Sequence, residues 1–245
     1  MRGCGGEPTR DGGPARYEPY PDALLDGLPD AAPGPEPRYD ARESLSLAFV
    51  AGLQRLPPRE RAALVLRDVL GFRAAEVAAM LDSSEASVNS ALQRARATLD
   101  SRLPGRDAEP APLPGSARER ALVGRFVDAF GSADAGRVIA LLTGDAWLTM
   151  PLEPLEPMEY QGRAAIAEFL SRRSWWGGQA VRLVPTRANG QPAFGCYRCD
   201  PKTLIAHAHG LIVLTLAGDQ ISAITHFGGT SLFPLFGLPG TLRGS

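Results

Sequence analysis

Three groups of side chains in this sequence are of types that could do chemistry. Asn89, Ser90, Gln93, Arg94 and Arg96 crowd into one short stretch. Carboxamides present a donor and an acceptor in one plane, which matches the edge of a base. Guanidinium groups suit phosphate or guanine. Asp145, Glu153, Glu156 and Tyr160 are the types needed to move a proton next to a carbonyl, a carboxylate base facing acidic or phenolic donors. Cys196-Tyr197-Arg198-Cys199, followed by His207-Ala208-His209 and by His226, supplies the donor types of a zinc site.

Patterning weighs these groups differently. On a strand, a spacing of three sends the two thiols to opposite faces. His207 and His209, two apart, share a face with Ile205, Leu211 and Val213, so they are expected as hydrogen-bonded wall residues, with no metal bound. The acidic group has no diagnostic spacing, and no catalytic residue and no cofactor is expected. Around Asn89, by contrast, the neighbours repeat at helical spacing.

A chain of 245 residues exceeds one typical domain. Apolar residues make up 44%, enough for two cores, and no apolar run is long enough to span a membrane. Cys4, Cys196 and Cys199 are too few for a disulfide scaffold. The N-terminus carries no hydrophobic leader, so the cytoplasm is the expected compartment. A net charge of −1 excludes a protein that coats nucleic acid indiscriminately, so any such binding must come from a local patch. Glycine and proline punctuation divides the chain into an irregular segment 1–40, a helical block 41–103, a linker 104–115, a mixed block 116–235 and a tail 236–245. Within the first segment, Tyr17 to Leu25 stands out as an aromatic and apolar patch able to dock.

The helical block reads as four helices. Leu45, Phe49, Gly52 and Leu56 mark the first, which Pro57-Pro58 ends. Ala62, Val65, Leu66 and Val69 mark the second, and Val77, Ala78 and Leu81 a short third. Ser84 is placed to cap the fourth by accepting from the backbone of Ser87. Stepping 100° per residue, Val88, Leu92, Ala95 and Leu99 face inward. Ala86, Ser90, Gln93 and Ala97 face outward, with Asn89 and Arg96 on one flank and Arg94 on the other. A short helix, a tight turn and a longer helix with a small, hydrogen-bonding face describe a helix-turn-helix, whose second helix enters the major groove. The expected DNA-contacting set is Ser84, Glu85, Ala86, Ser87, Asn89, Ser90, Gln93, Arg94 and Arg96. Asn89 and Gln93 read bases, while Arg94 and Arg96 reach phosphates or guanine.

The run from Leu56-Pro57-Pro58-Arg59-Glu60-Arg61 to Arg67-Asp68, then Gly71-Phe72, Ala75-Glu76-Val77-Ala78, Leu81 and Ser87 to Arg96, resembles region four of extracytoplasmic-function RNA polymerase sigma factors. The resemblance implies a module that reads the −35 promoter element and touches the flap of RNA polymerase core. One departure is Arg73, which stands where that family often has a capping Ser or Thr. Region two of such factors melts the −10 element, and no segment before Ala41 has the residues for it, so the chain is expected to be truncated.

The mixed block reads as helices over 118–130, 134–142 and 162–172, a strand over 146–150, and a meander over 181–227. The meander turns at Asn189-Gly190, Asp200-Pro201 and Gly218-Asp219. This order describes an α+β cone. It resembles the SnoaL-like domains of the ketosteroid-isomerase-like superfamily, and with Tyr17 to Leu25 and the helical block it is most similar to the SigG-like group of sigma factors. That resemblance implies a multidomain protein with a regulatory cone, a candidate small-molecule ligand inside the cone, and no enzyme activity. The competing reading is a ligand-binding or isomerase-like enzyme with an associated helical module.

Overall fold

The computed structural model describes residues 17–24, 46–100, 109–151, 158–171 and 181–243. The chain forms two compact units. One is Leu25–Asp107; the other combines Met1–Leu24 with Ala108–Ser245.

The helical unit contains α1 (Leu47–Arg55), α2 (Pro58–Leu64), α3 (Ala74–Met80) and α4 (Glu85–Asp100). Ser46 caps α1 by accepting from Phe49 N at 3.3 Å, and Pro58 occupies the first turn of α2, where its missing N–H costs nothing. Phe49, Leu56, Leu64, Val77, Val88, Leu92 and Leu99 form its core. Gly52 is what lets α1 lie against α4, because a β-carbon there would come within 2.8 Å of Leu99 Cδ2. Leu45 lies outside the described residues.

The second helix departs from the expected face. A π turn spans Val65–Val69, with Leu70 N bonding Val65 O at 2.9 Å. One extra residue in a turn resets the phase. Ala63, Leu64 and Asp68 are therefore the buried positions, while Leu66 and Val69 are only partly covered and Ala62 and Val65 are half-exposed.

The larger unit begins with α5 (Ala117–Gly131) and α6 (Ala135–Ala140), then β1 (Leu142–Met150), β2 (Met158–Gln161), α7 (Arg163–Ser171), β3 (Val181–Ala188), β4 (Gln191–Cys199), β5 (Ile205–Ala217), β6 (Gln220–Gly228) and β7 (Thr241–Arg243). The sheet order is β2-β1-β6-β5-β4-β3, with β7 on β5. Only β1 and β6 run parallel among the paired strands described. One sheet face packs Leu148, Phe194, Ile212, Leu214 and Ile224 against Leu122, Phe126 and Phe130 of α5 and Ile166 and Leu170 of α7. On the other, Tyr197 meets Phe233 edge-on at 5.4 Å and donates from its hydroxyl to Pro239 O at 2.8 Å. Asn189 (φ 55°) and Gly190 (φ 71°) make the tight turn between β3 and β4 that two left-handed residues allow.

Three stretches set apart by composition join this unit. Tyr17 is buried with its ring edge-on to Phe227 at 5.8 Å, and Pro21 forms a bridge with Ala188 on the edge strand β3. Residues 109–115 of the expected linker are held by Arg118–Glu109 (2.6 Å) and by Gly218 N to Pro110 O (3.3 Å). In the expected tail, Thr241–Arg243 pairs with β5.

Candidate nucleic-acid interface

The best-built site is the outer face of α4. Val88, Ala91, Leu92, Ala95 and Leu99 are buried. This fixes the rotation of the helix, so that Glu85, Ala86, Ser87, Asn89, Ser90, Gln93, Arg94 and Ala97 face solvent. Ser84 Oγ accepts from Ser87 N at 3.2 Å, as its capping role requires. The turn before it is made by Asp82 (φ 45°), a residue type that tolerates the left-handed region. Ser90 donates its hydroxyl to Ala86 O at 2.9 Å, which leaves its lone pairs outward. Asn89 and Gln93 lie one turn apart on this exposed face, where their amides can meet base edges.

The two arginines do not behave as expected. Arg96 is folded inward. Its Nε and one terminal nitrogen donate to Asp68 Oδ2 and Oδ1 at 2.7 and 2.6 Å, and that carboxylate is 3% exposed. This forked pair joins α4 to the π turn and gives Arg96 a bracing role within the unit. Arg94 remains exposed but is paired with Glu60 at 2.6 Å, which offsets much of its charge. Glu60 and Asp68 went unassigned in the sequence. Asp68 offered one signal, a carboxylate falling among apolar positions of the second helix.

Further arginines are spent internally. Arg61 donates to Gln54 O and Leu56 O at 2.9 and 3.1 Å, bracing the α1–α2 junction, and Arg67 donates to Phe72 O at 2.7 Å. Arg73 cannot cap α3 with its side chain, but Glu76 reaches back to its backbone N–H at 2.6 Å and completes half of a capping box. Arg59 and Arg73 are exposed with no carboxylate partner among the described residues.

With this geometry established, comparison with known proteins is informative. Residues 46–99 match the family "Sigma-70, region 4". The match falls on the helical unit, from the cap of α1 to the last turn of α4. The whole chain is 38% identical over 242 residues to the ECF RNA polymerase sigma factor SigG of Mycobacterium tuberculosis, covering 97% of this chain and 64% of that relative. It is 33% identical over 131 residues to SigJ of the same species, covering 53% and 39% respectively. The crystal structure of the Mycobacterium tuberculosis extracytoplasmic function sigma factor SigJ aligns with a TM-score of 0.62 at 23% identity, over 93% of this chain and 77% of that one. A helical unit and an α+β unit thus occur in one chain of that solved structure as well.

In the α+β unit the described members of the other two candidate groups do not converge on a site. Asp145 is exposed on β1, Tyr160 is buried with its hydroxyl 3.8 Å from Met158 Sδ, and Glu153 and Glu156 lie outside the described residues. Cys196 belongs to the main core and Cys199 packs on the opposite cluster, so the thiols diverge. Burial pushes the Cys196 thiol up to about 12. His207 is exposed, whereas His209 and His226 approach with ring centroids 6.0 Å apart. A register shift in β4–β5 after Cys196 leaves His209 unpaired in the ladder and breaks the expected alternation. Desolvation pushes His226 down to about 4 and lowers His209 as well. Among the described residues, no group of three or more His, Cys, Asp or Glu could hold a metal ion, and no helix is long and apolar enough to cross a membrane. Cys4 lies outside the described residues.

Proposed function

We propose that this chain serves transcription initiation as an extracytoplasmic-function sigma factor, with α4 reading a promoter −35 element and RNA polymerase core as its partner. The observation that supports this most is the exposed face of α4. It sets base-reading residue types, Asn89, Ser90 and Gln93, along one side of a helix whose rotation is fixed by its buried stripe. Ser84, Glu85, Ala86 and Ser87 form the N-terminal end that approaches the groove, where backbone N–H groups favour phosphate. Leu70 and Met80, large apolar side chains 44% and 53% exposed, are the candidate contact for the polymerase flap. The expected compartment is the cytoplasm.

The α+β unit then acts as a regulatory domain rather than an enzyme. Of its candidate acid–base residues that are described, Asp145 is exposed on β1 and Tyr160 is buried, which supports this reading. If the unit takes a small-molecule signal, the neutral imidazoles of His209 and His226 are its candidate polar contacts.

The test is selection of duplexes from a random library by the full chain, followed by titration at several salt concentrations. A single motif should emerge, bound with a shallow salt slope of about −2 to −3, since few arginines among the described residues are free to meet phosphate and each contact contributes about −0.9. Enrichment of no motif, with parental folding intact, would remove the promoter reading.

A further inference from the structure

The guanidinium of Arg187, at the end of the edge strand β3, uses all three of its nitrogens. Nε meets Asp22 Oδ2 at 3.3 Å, one terminal nitrogen donates to Glu119 Oε1 at 2.9 Å, and the other donates to Gly190 O at 2.9 Å. Its two carboxylate partners lie on either side of the helical unit in sequence. Asp22 lies just before the point where the chain leaves for the helical unit, and Glu119 lies just after the point where it returns. Each carboxylate carries a second bond that fastens backbone. Asp22 Oδ1 accepts from Gly190 N at 2.8 Å, and Glu119 Oε1 accepts from Gly115 N at 2.9 Å.

The surroundings strengthen the cluster from both sides. Upstream, Tyr20 N donates to Asn189 Oδ1 at 2.8 Å, and Asn189 N returns a bond to Tyr20 O at 2.9 Å. Downstream, Ser116 Oγ accepts from Glu119 N at 3.1 Å, which holds the first turn of α5 and with it the Glu119 side chain. The Glu119 side chain is only 7% exposed and that of Asp22 24%, so the pairs lie where solvent screens them weakly.

We propose that Arg187 is a two-tether clamp: it fastens both the outgoing and the returning connection of the helical unit to one spot on the α+β unit. Asp22 and Glu119 flank the helical unit in sequence, so both flanks meet at one guanidinium. Two short tethers anchored separately would lack this coupling, because losing one would leave the other untouched. Here one side chain serves both.

The experiment places a protease site between residues 35 and 36 of the full chain, cleaves it, and measures retention of the N-terminal piece by the remainder. Retention is expected in the parent chain. Arg187→Ala should weaken it at least about tenfold, and Arg187→Lys by less, since an ammonium cannot fork to two carboxylates. Glu119→Ala, which touches only the downstream tether, should also weaken retention of the upstream piece. Asp22→Asn should in turn speed hydrogen exchange of the Gly115 amide. Far-UV circular dichroism monitors folding. If Arg187→Ala does not fold, Asp22→Asn and Glu119→Ala decide the matter through that cross-coupling. Parental retention in Glu119→Ala, with parental Gly115 exchange in Asp22→Asn, would show two independent anchors and overturn the clamp. The outcome does not depend on DNA binding, so it stands apart from the promoter test.

Discussion

Replacing Arg96 with Ala should damage the helical unit rather than remove a DNA contact. The change strips both hydrogen bonds from Asp68 and leaves a carboxylate that is 3% exposed without its counter-charge. Breaking a buried pair costs about 3–5 kcal/mol. The Arg96 side chain is 34% exposed, so water can reach the vacated space, and about 2–3 kcal/mol is the expected loss. A four-helix unit of this size holds only a few kcal/mol in total, so the loss is a large fraction. Hydrogen exchange measured on the full chain should show α4 and the Val65–Val69 turn losing protection together, while the β5 and β6 amides keep theirs. Replacing both partners with apolar residues, Asp68→Leu with Arg96→Met, should restore much of it, because no charge is then left buried. The decisive comparison is the salt slope of DNA binding. A lost phosphate contact lowers it by about 1, whereas a lost brace reduces the folded fraction and leaves the slope unchanged. Parental exchange protection with a slope reduced by one would show that Arg96 leaves Asp68 to meet phosphate, and would refute this account.

Other expectations are more local. Gln93→Ala should relax preference at one base pair of the selected motif by about 1–3 kcal/mol and leave stability unchanged, since the side chain is exposed; uniform weakening across all sequences would argue against base reading. Native-state alkylation near pH 8 should modify Cys199 well before Cys196, whose thiol is buried and pushed up to about 12; mass spectrometry of the peptide carrying both gives the order directly. His226 takes up its proton in the unfolded chain near 6.5 but in the folded unit only near 4, so stability is fully present above pH 6.5 and declines as pH falls toward 4. The loss is at most about 3 kcal/mol. Urea unfolding across this range should show it, and His226→Gln should flatten that part of the profile.

How much of this was legible depended on whether local periodicity or distant pairing set the outcome. The inner stripe of α4 and its Ser84 cap were readable because helical spacing alone rotates Val88, Leu92, Ala95 and Leu99 inward. The β3–β4 hairpin was readable from Asn189-Gly190 for a similar local reason. The π turn was not, since a single wide turn leaves no compositional trace and yet moves Asp68 into the core. The fate of Arg96 followed from that displacement, 28 residues away in sequence. The bulge at His209 was likewise invisible, because it arises from register between β4 and β5 and not from either strand alone. The anchoring of Tyr17 to Leu24 was foreseen only as a tendency to dock. Its partners, Phe227, Asn189 and Arg187, lie more than 160 residues downstream.

The placement of the arginines carries a functional consequence of its own. In the helical unit Arg61, Arg67 and Arg96 are turned onto the protein's own carbonyls and a carboxylate, and Arg94 is paired with Glu60. Of the exposed guanidinium groups, Arg59 and Arg73 are the ones without such a partner among the described residues. Phosphate neutralisation supplies essentially all nonspecific affinity for DNA, so the described arginines that are paired internally contribute little to that component. On the proposed function, what remains is the amide and hydroxyl face of α4, a face suited to discriminating between bases but adding little free energy before the protein is already in place. Such a unit becomes effective when a partner holds it near DNA and raises its local concentration. This is the division of labour that the proposed function requires, with polymerase core delivering the chain to the promoter and α4 checking the sequence.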